Sequence, residues 1–170
     1  IAEIGSVHDG SFGNALKLIE TAKYVGADTV KFQTHISEEE TTVEAPSPKY
    51  FKNETRFDYF NRTAFTSMQW SELNAFAKEN NIEFLSAPFS IKAVDLLENI
   101  GITKYKIPSG EITNTPLLKY IAQTKKPIML STGMSNWSEI DIAVNEIRKV
   151  HDMLVIMQCT SLYPCPLENV

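Results

Sequence analysis

Six short apolar runs recur along the chain: IAEIG (1–5), DTVKFQT (28–34), IEFLSAP (82–88), KYKIPSG (104–110), PIMLST (127–132) and LVIMQCTS (154–161). Between most of them lie segments with the period of an α-helix. Asn14 to Val25 sets Leu16, Ile19, Ala22 and Val25 on one face and stops at Gly26, while Ser71 opens a helix through Leu73, Phe76 and Ala77. Ser90 caps IKAVDLLENIG, Thr115 with Pro116 starts PLLKYIAQT, and Ser135 or Asn136 starts WSEIDIAVNEIRKV. Strict β-α-β-α alternation demands a parallel sheet, because each return passes through a helix. Six such units without a glycine-rich nucleotide loop favour an α/β fold of the (β/α)8 TIM-barrel class over a doubly wound sheet.

A complete barrel of this class has eight strands and roughly 250 residues. The 170 residues therefore read as an incomplete TIM-barrel catalytic domain supplying about the first six βα units. The segment from 36 to 63 is long for a bland connection, and such insertions commonly shape an active-site mouth or an interface. Its acidic run SEEE (37–40) reads as a solvated loop face.

Composition narrows the function. A net charge of −5 provides no basic field for nucleic acid or anionic membrane, and no stretch approaches the ~20 apolar residues of a membrane span. Ile1 opens directly into strand-like sequence without the features of a secretory signal. Two cysteines, Cys159 and Cys165, do not make a disulfide framework, so reduced thiols and a cytoplasmic location are the expectation.

Strand parity locates a site. Successive strand residues face opposite sides, so one parity meets the helices and the other the barrel interior. With Val30 and Phe32 facing helices, Lys31 and Gln33 turn inward; with Tyr105 and Ile107 outward, Lys106 turns inward. Ala2 and Ile4 leave Glu3 inside, and Ile128 and Leu130 leave Met129 and Ser131 inside. In the sixth strand Cys159, Ser161 and Tyr163 take the interior parity. Two converging lysines with hydroxyls near the C-terminal strand ends point to an anion site, where barrel enzymes keep their chemistry. An ion pair of Lys31 with Glu3 is the structural alternative. Lys104 shares the parity of Lys106 one layer lower, where solvent accounts for it.

These motifs resemble those of the N-terminal barrel domain of the sialic acid (N-acetylneuraminate) synthase family. The resemblance is carried by IAEIG, GADTVKFQT (26–34), FLSAPFS (84–90), KIPSGEITNTPLL (106–118), STGMS (131–135) and QCTSLYPCP (158–166). It implies condensation of phosphoenolpyruvate with an N-acylated amino sugar, N-acetylmannosamine or a relative, to a sialic-acid-type nonulosonate plus phosphate. Lys31, Lys106, Ser109, Ser131 and Ser161 match positions that grip phosphoenolpyruvate. Glu111 matches the carboxylate that handles protons of the attacking water, so Glu111 and Lys106 are the candidate catalytic residues. Glu3 and Tyr163 match the amino-sugar pocket, and inward Gln33 joins them as a candidate. The resemblance further implies a homodimer, a small C-terminal antifreeze-like domain outside this chain, and a divalent metal, commonly Mn2+, on histidines beyond Val170.

Departures from the family pattern touch the same site. Ala87 stands where many members have threonine and Ser161 where many have asparagine, and SVHDG (6–10) replaces a more usual asparagine-histidine-asparagine-glycine run. His8, His35 and His151 are poor metal candidates. His35 begins the long loop and His151 ends a surface helix. Two other readings stay open at this point: a Schiff-base aldolase with Lys106 as nucleophile, and a sugar- or anion-binding barrel without catalysis. Cys159 reads as a packed thiol, since no histidine is evidently placed to activate it.

Overall fold

The computed structural model describes residues 1–46, 54–162 and 164–170. Its strands are β1 (Ala2–Gly5), β2 (Thr29–Thr34), β3 (Glu83–Pro88), β4 (Tyr105–Ile107), β5 (Ile128–Ser131) and β6 (Leu154–Met157). The helices are α1 (Phe12–Tyr24), α2 (Ser37–Glu40), α3 (Arg56–Thr63), α4 (Ser67–Glu79), α5 (Ile91–Asn99), α6 (Thr115–Gln123) and α7 (Trp137–Arg148). Each apolar run contributes a strand, and all strand pairs are parallel, in two sheets ordered β1-β2-β3 and β4-β5-β6. The chain divides into two compact units, Ile1–Ile102 and Thr103–Val170.

Several boundaries differ from those expected. The fourth run is a strand only over Tyr105–Ile107, because Pro108 has no N–H for a ladder and starts a 3-10 turn over Ser109–Glu111. The sixth strand ends at Met157 rather than at 161. Ser71 lies inside α4, whose N-cap is Thr66: the Thr66 hydroxyl accepts from Gln69 N–H, and the Gln69 side chain accepts from Thr66 N–H in return. That reciprocal pair satisfies two donors that a cap at Ser71 would leave open. α1 likewise begins earlier, at Phe12, with Ser11 accepting from Asn14 N–H. Ser90 caps α5 as expected, Asn136 caps α7, and α6 is capped by Asn114, one residue before Thr115.

In the first unit α1, α4 and α5 close with one hydrogen-bond pattern. Gly26 N–H bonds to Lys23 and Ala27 N–H to Ala22; Asn81 to Lys78 and Ile82 to Ala77; Gly101 to Glu98 and Ile102 to Leu97. These are Schellman closures, each with its first residue in the left-handed region: Gly26 at φ 84°, Asn81 at 52° and Gly101 at 74°. The motif satisfies the last carbonyls and turns the chain back toward the next strand.

The core of this unit is aromatic on one side. Trp70 meets Phe32, Phe65 and Phe84 edge to face, with ring centroids 5.9, 5.3 and 6.3 Å apart. His8 stacks on Phe65 at 4.5 Å and is 1% exposed. Its Nδ1 accepts from Gly10 N–H at 3.2 Å, which leaves the proton on Nε2, a buried atom without a hydrogen-bond partner among the described residues. Burial makes the imidazolium unfavourable and lowers the His8 pKa to about 4, against a smaller opposing effect of Asp9. In the second unit Tyr105, Ile107, Ile128 and Leu130 of the strands, Leu117, Leu118 and Ile121 of α6 and Ala143 and Ile147 of α7 are all fully buried.

Two outcomes follow from this packing. A Cβ on Gly26 would meet nothing within 4 Å, so Gly26→Ala isolates the left-handed backbone cost and should lower stability by about 1 kcal/mol in chemical denaturation. His8 is neutral in the folded protein down to about pH 4, whereas the unfolded chain takes up a proton near pH 6.5. Its contribution is therefore complete above pH 6.5 and is lost as pH falls toward 4. Between pH 7 and 4, His8→Leu should lose about 3 kcal/mol less stability than the wild type, measured by urea midpoints across pH.

Candidate active site

The second unit assembles four of the proposed anion-binding residues at the C-terminal ends of its strands. Lys106 is the middle residue of β4 and is 6% exposed. Its Nζ donates to Ser131 Oγ, at the end of β5, and to the Ile107 carbonyl at 3.4 Å. Ser131 Oγ also accepts from the Cys159 thiol at 3.2 Å. With both lone pairs engaged by donors, the Ser131 hydroxyl has its own proton to offer.

Ser109 is arranged in the same sense. It opens the 3-10 turn after β4, and its Oγ accepts from Gly133 N–H at 3.0 Å. A Cβ on Gly133 would stand 2.7 Å from Ser161 Oγ, 2.9 Å from Ser109 Oγ and 3.1 Å from the Cys159 carbonyl. Ser109 and Ser161 therefore converge on a spot that only glycine leaves open. The buried ammonium bonded to Ser131, and the two hydroxyls that meet at Gly133, are donor groups of the kind that hold a phosphate or carboxylate. Glu111 closes the 3-10 turn, half-buried, and its Oε2 accepts from Asn114 Nδ2 at 2.8 Å.

In the first unit Lys31 lies opposite Glu3 across the β1–β2 pair, and Lys31 Nζ meets Glu3 Oε2 at 2.7 Å. The lysine side chain is 6% exposed and the glutamate 64%. This is the ion pair that the sequence offered as the structural alternative. Gln33 Oε1 accepts from the Ser6 hydroxyl at 3.4 Å and lies 3.4 Å from where a Gly5 Cβ would be. Ala87 is fully buried opposite Gln33. Beside it in β3, Ser86 bonds to the Thr34 hydroxyl at 2.7 Å. Tyr163 lies outside the described residues.

The segment after β2 is more ordered by polar contacts than its sequence implies. His35 is buried between the rings of Phe60 and Phe89, at 3.8 and 4.0 Å, and Nδ1 contacts Glu40 Oε2 at 2.7 Å. The other oxygen of Glu40 accepts from Ile36 N–H at 2.6 Å. The run SEEE is thus not a uniform solvated face. Glu38 and Glu39 are exposed, Glu39 reaches Lys92, and Glu40 has 3% of its side chain accessible because the turn of α2 points it back at His35. His151 follows α7 rather than ending it, and its Nδ1 accepts from Met153 N–H at 3.2 Å.

A metal has no evident seat here. Among the described residues no three histidine, cysteine, aspartate or glutamate side chains converge. His8 and His35 are enclosed by aromatic rings, so the described residues do not fit the divalent ion that the family resemblance implies. Asn114, Gly133 and Cys159 stand in quoted motifs but carried no expected role in binding. An asparagine just before Thr-Pro and a glycine inside STGM are the signals that mark the first two, as a helix cap and a close approach.

The described helices include none long and apolar enough to cross a membrane. Comparison with known proteins places these features in context. The chain is 40% identical over its whole length to the N,N'-diacetyllegionaminic acid synthase of Campylobacter jejuni, and covers 53% of that protein. It is 34% identical to the enzyme of the same name from Legionella pneumophila, of which it covers 51%. The chain thus spans about half the length of these curated relatives. Among solved structures, the N-acetylneuraminic acid synthetase of Leptospira borgpetersenii, crystallised with citrate, matches 98% of this chain and 55% of its own with a TM-score of 0.84 at 28% identity. Its likeness agrees with the expected α/β fold of TIM-barrel type, of which the described residues carry six strands, the first five each followed by an α-helix. The NeuB family pattern matches residues 18–170, and the chain belongs to that family.

Proposed function

We propose that the protein of which this chain forms part condenses phosphoenolpyruvate with an N-acylated amino sugar, giving a sialic-acid-type nonulosonate and phosphate. The observation that carries the reading is the pairing of Lys106 with Ser131 Oγ, which the Cys159 thiol also reaches, beside the approach of Ser109 and Ser161 to Gly133, which lies against the Cys159 carbonyl. Phosphoenolpyruvate is a compact, multiply charged anion. Donors already fixed by Cys159 and Gly133 bind it without reorganising when it arrives. The family resemblance assigns Lys31 to phosphoenolpyruvate as well, and Glu3, Gln33 and Tyr163 to the amino sugar.

In this mechanism C3 of phosphoenolpyruvate attacks the aldehyde carbon of the sugar, and positive charge develops at C2. Glu111 takes a proton from the water that adds at C2. The C2–O bond to phosphate then breaks, so phosphate leaves with the bridging oxygen and the new ketone oxygen comes from water. The expected divalent cation, Mn2+, is held by residues other than those described. A cytoplasmic homodimer is the setting proposed for the whole enzyme. Two of the three named relatives are named for a legionaminic acid and the third for N-acetylneuraminic acid, and a legionaminic-type acceptor is the first to try on the strength of the 40% identity.

The test is turnover of the full-length protein with Mn2+, phosphoenolpyruvate carrying 18O at the bridging position, and a panel of N-acylated amino sugars. Phosphate should be released with one acceptor and should retain the label. Label in the sugar product, or a borohydride-stable pyruvate adduct on Lys106, would overturn the mechanism in favour of P–O cleavage or a Schiff-base lyase. Binding of phosphoenolpyruvate without phosphate release from any acceptor would point to a non-catalytic binding protein. In the same assay Gly133→Ala should lower kcat/KM at least 100-fold, since the added methyl displaces Ser109 and Ser161 together. Gly133→Ala activity within a few-fold of wild type would place the anion elsewhere.

A further inference from the structure

The structure assigns a positioning role to Asn114 that its place as a helix cap does not require. Asn114 Oδ1 accepts from Leu117 N–H at 3.3 Å, which caps α6 and settles which way the amide faces. The amide nitrogen is thereby aimed backward along the chain, where it donates to Glu111 Oε2 at 2.8 Å. Asn114 N–H closes the same turn on the Glu111 carbonyl at 3.0 Å. A single residue therefore ties the carboxylate on a three-residue 3-10 turn to the first turn of a nine-residue helix whose Leu117, Leu118 and Ile121 are buried.

A glutamate on so short a turn has three side-chain torsions to settle, and the turn alone fixes none of them. The Asn114 amide holds one carboxylate oxygen and leaves Oε1 to face a water or substrate. Charge-assisted bonds of this kind are among the stronger ones, and an ordered base removes a reorganisation step from the reaction. Asn114 thus positions Glu111 for proton transfer. This inference rests on the proposed role of Glu111 and adds the residue that orients it.

The cap itself makes the test selective. Asparagine, aspartate and serine are comparable N-caps, so Asn114→Ser and Asn114→Asp both preserve the start of α6. Serine is too short to reach Glu111, and aspartate turns an acceptor toward another carboxylate. In the full-length protein with Mn2+, phosphoenolpyruvate and the working acceptor, both variants should melt within a few degrees of wild type and keep KM for phosphoenolpyruvate within about twofold. Their kcat should fall about 10-fold for serine and about 100-fold for aspartate. In a Glu111→Gln background, Asn114→Ser should cost no further kcat. Wild-type kcat in both variants, or equal losses that track the melting temperature, would overturn the role of Asn114 alone. A wild type that turns over no acceptor overturns the function and this role with it.

Discussion

A primary ammonium in the middle of a buried strand is the constraint around which the second unit is organised. Lys106 cannot take that place unless its protons meet acceptors, because stripping water from an ammonium costs several kcal/mol. The Ile107 carbonyl and Ser131 hydroxyl supply acceptors from its own strand and the next. Satisfying the lysine in turn polarises the serine, and the Cys159 thiol occupies the second lone pair. The proton of Ser131 is then directed away from both donors. Structural satisfaction of one residue therefore creates a binding group from another.

The neighbouring 3-10 turn depends on the same economy of lone pairs. Gly133 N–H takes one lone pair of Ser109, and the missing Cβ of Gly133 admits Ser161 beside it. Two hydroxyls from distant sequence positions approach each other through a glycine between them. The first unit handles its lysine differently. Lys31 is matched by a full negative charge on the adjacent strand, and that carboxylate is well exposed. An ammonium already neutralised by an exposed carboxylate is a weaker anion trap than one surrounded by oriented dipoles.

How much of this was legible in the sequence depended on periodicity. Strand parity grouped Lys31 with Glu3 and Lys106 with Ser131, and both pairs are bonded in the structure, because a period of two sets such residues on one side. Parity could not show where strands stop. Pro108 truncates the fourth run, and Ser109, which lay within that run, belongs to a tight turn with Glu111. Side-chain capping was equally hidden: Ser71 and Thr115 are acceptable starts by residue type, but Thr66 and Asn114 complete the hydrogen bonds. Glu40 escaped notice because a run of like charges reads as solvent-facing, whereas one turn of helix is enough to aim its last member at a buried histidine.

The clasp formed by His35, Glu40, Phe60 and Phe89 bears on how such a protein can change over generations. It joins the end of the second strand, the first turn beyond it, the helix that finishes the excursion and the residue after the third strand. A segment fastened at both roots passes little strain to the sheet when residues between the fastenings are exchanged or their number altered. Selection can therefore revise the excursion without moving the strand ends that carry the charged side chains. The clasp separates what must stay constant from what is free to diverge.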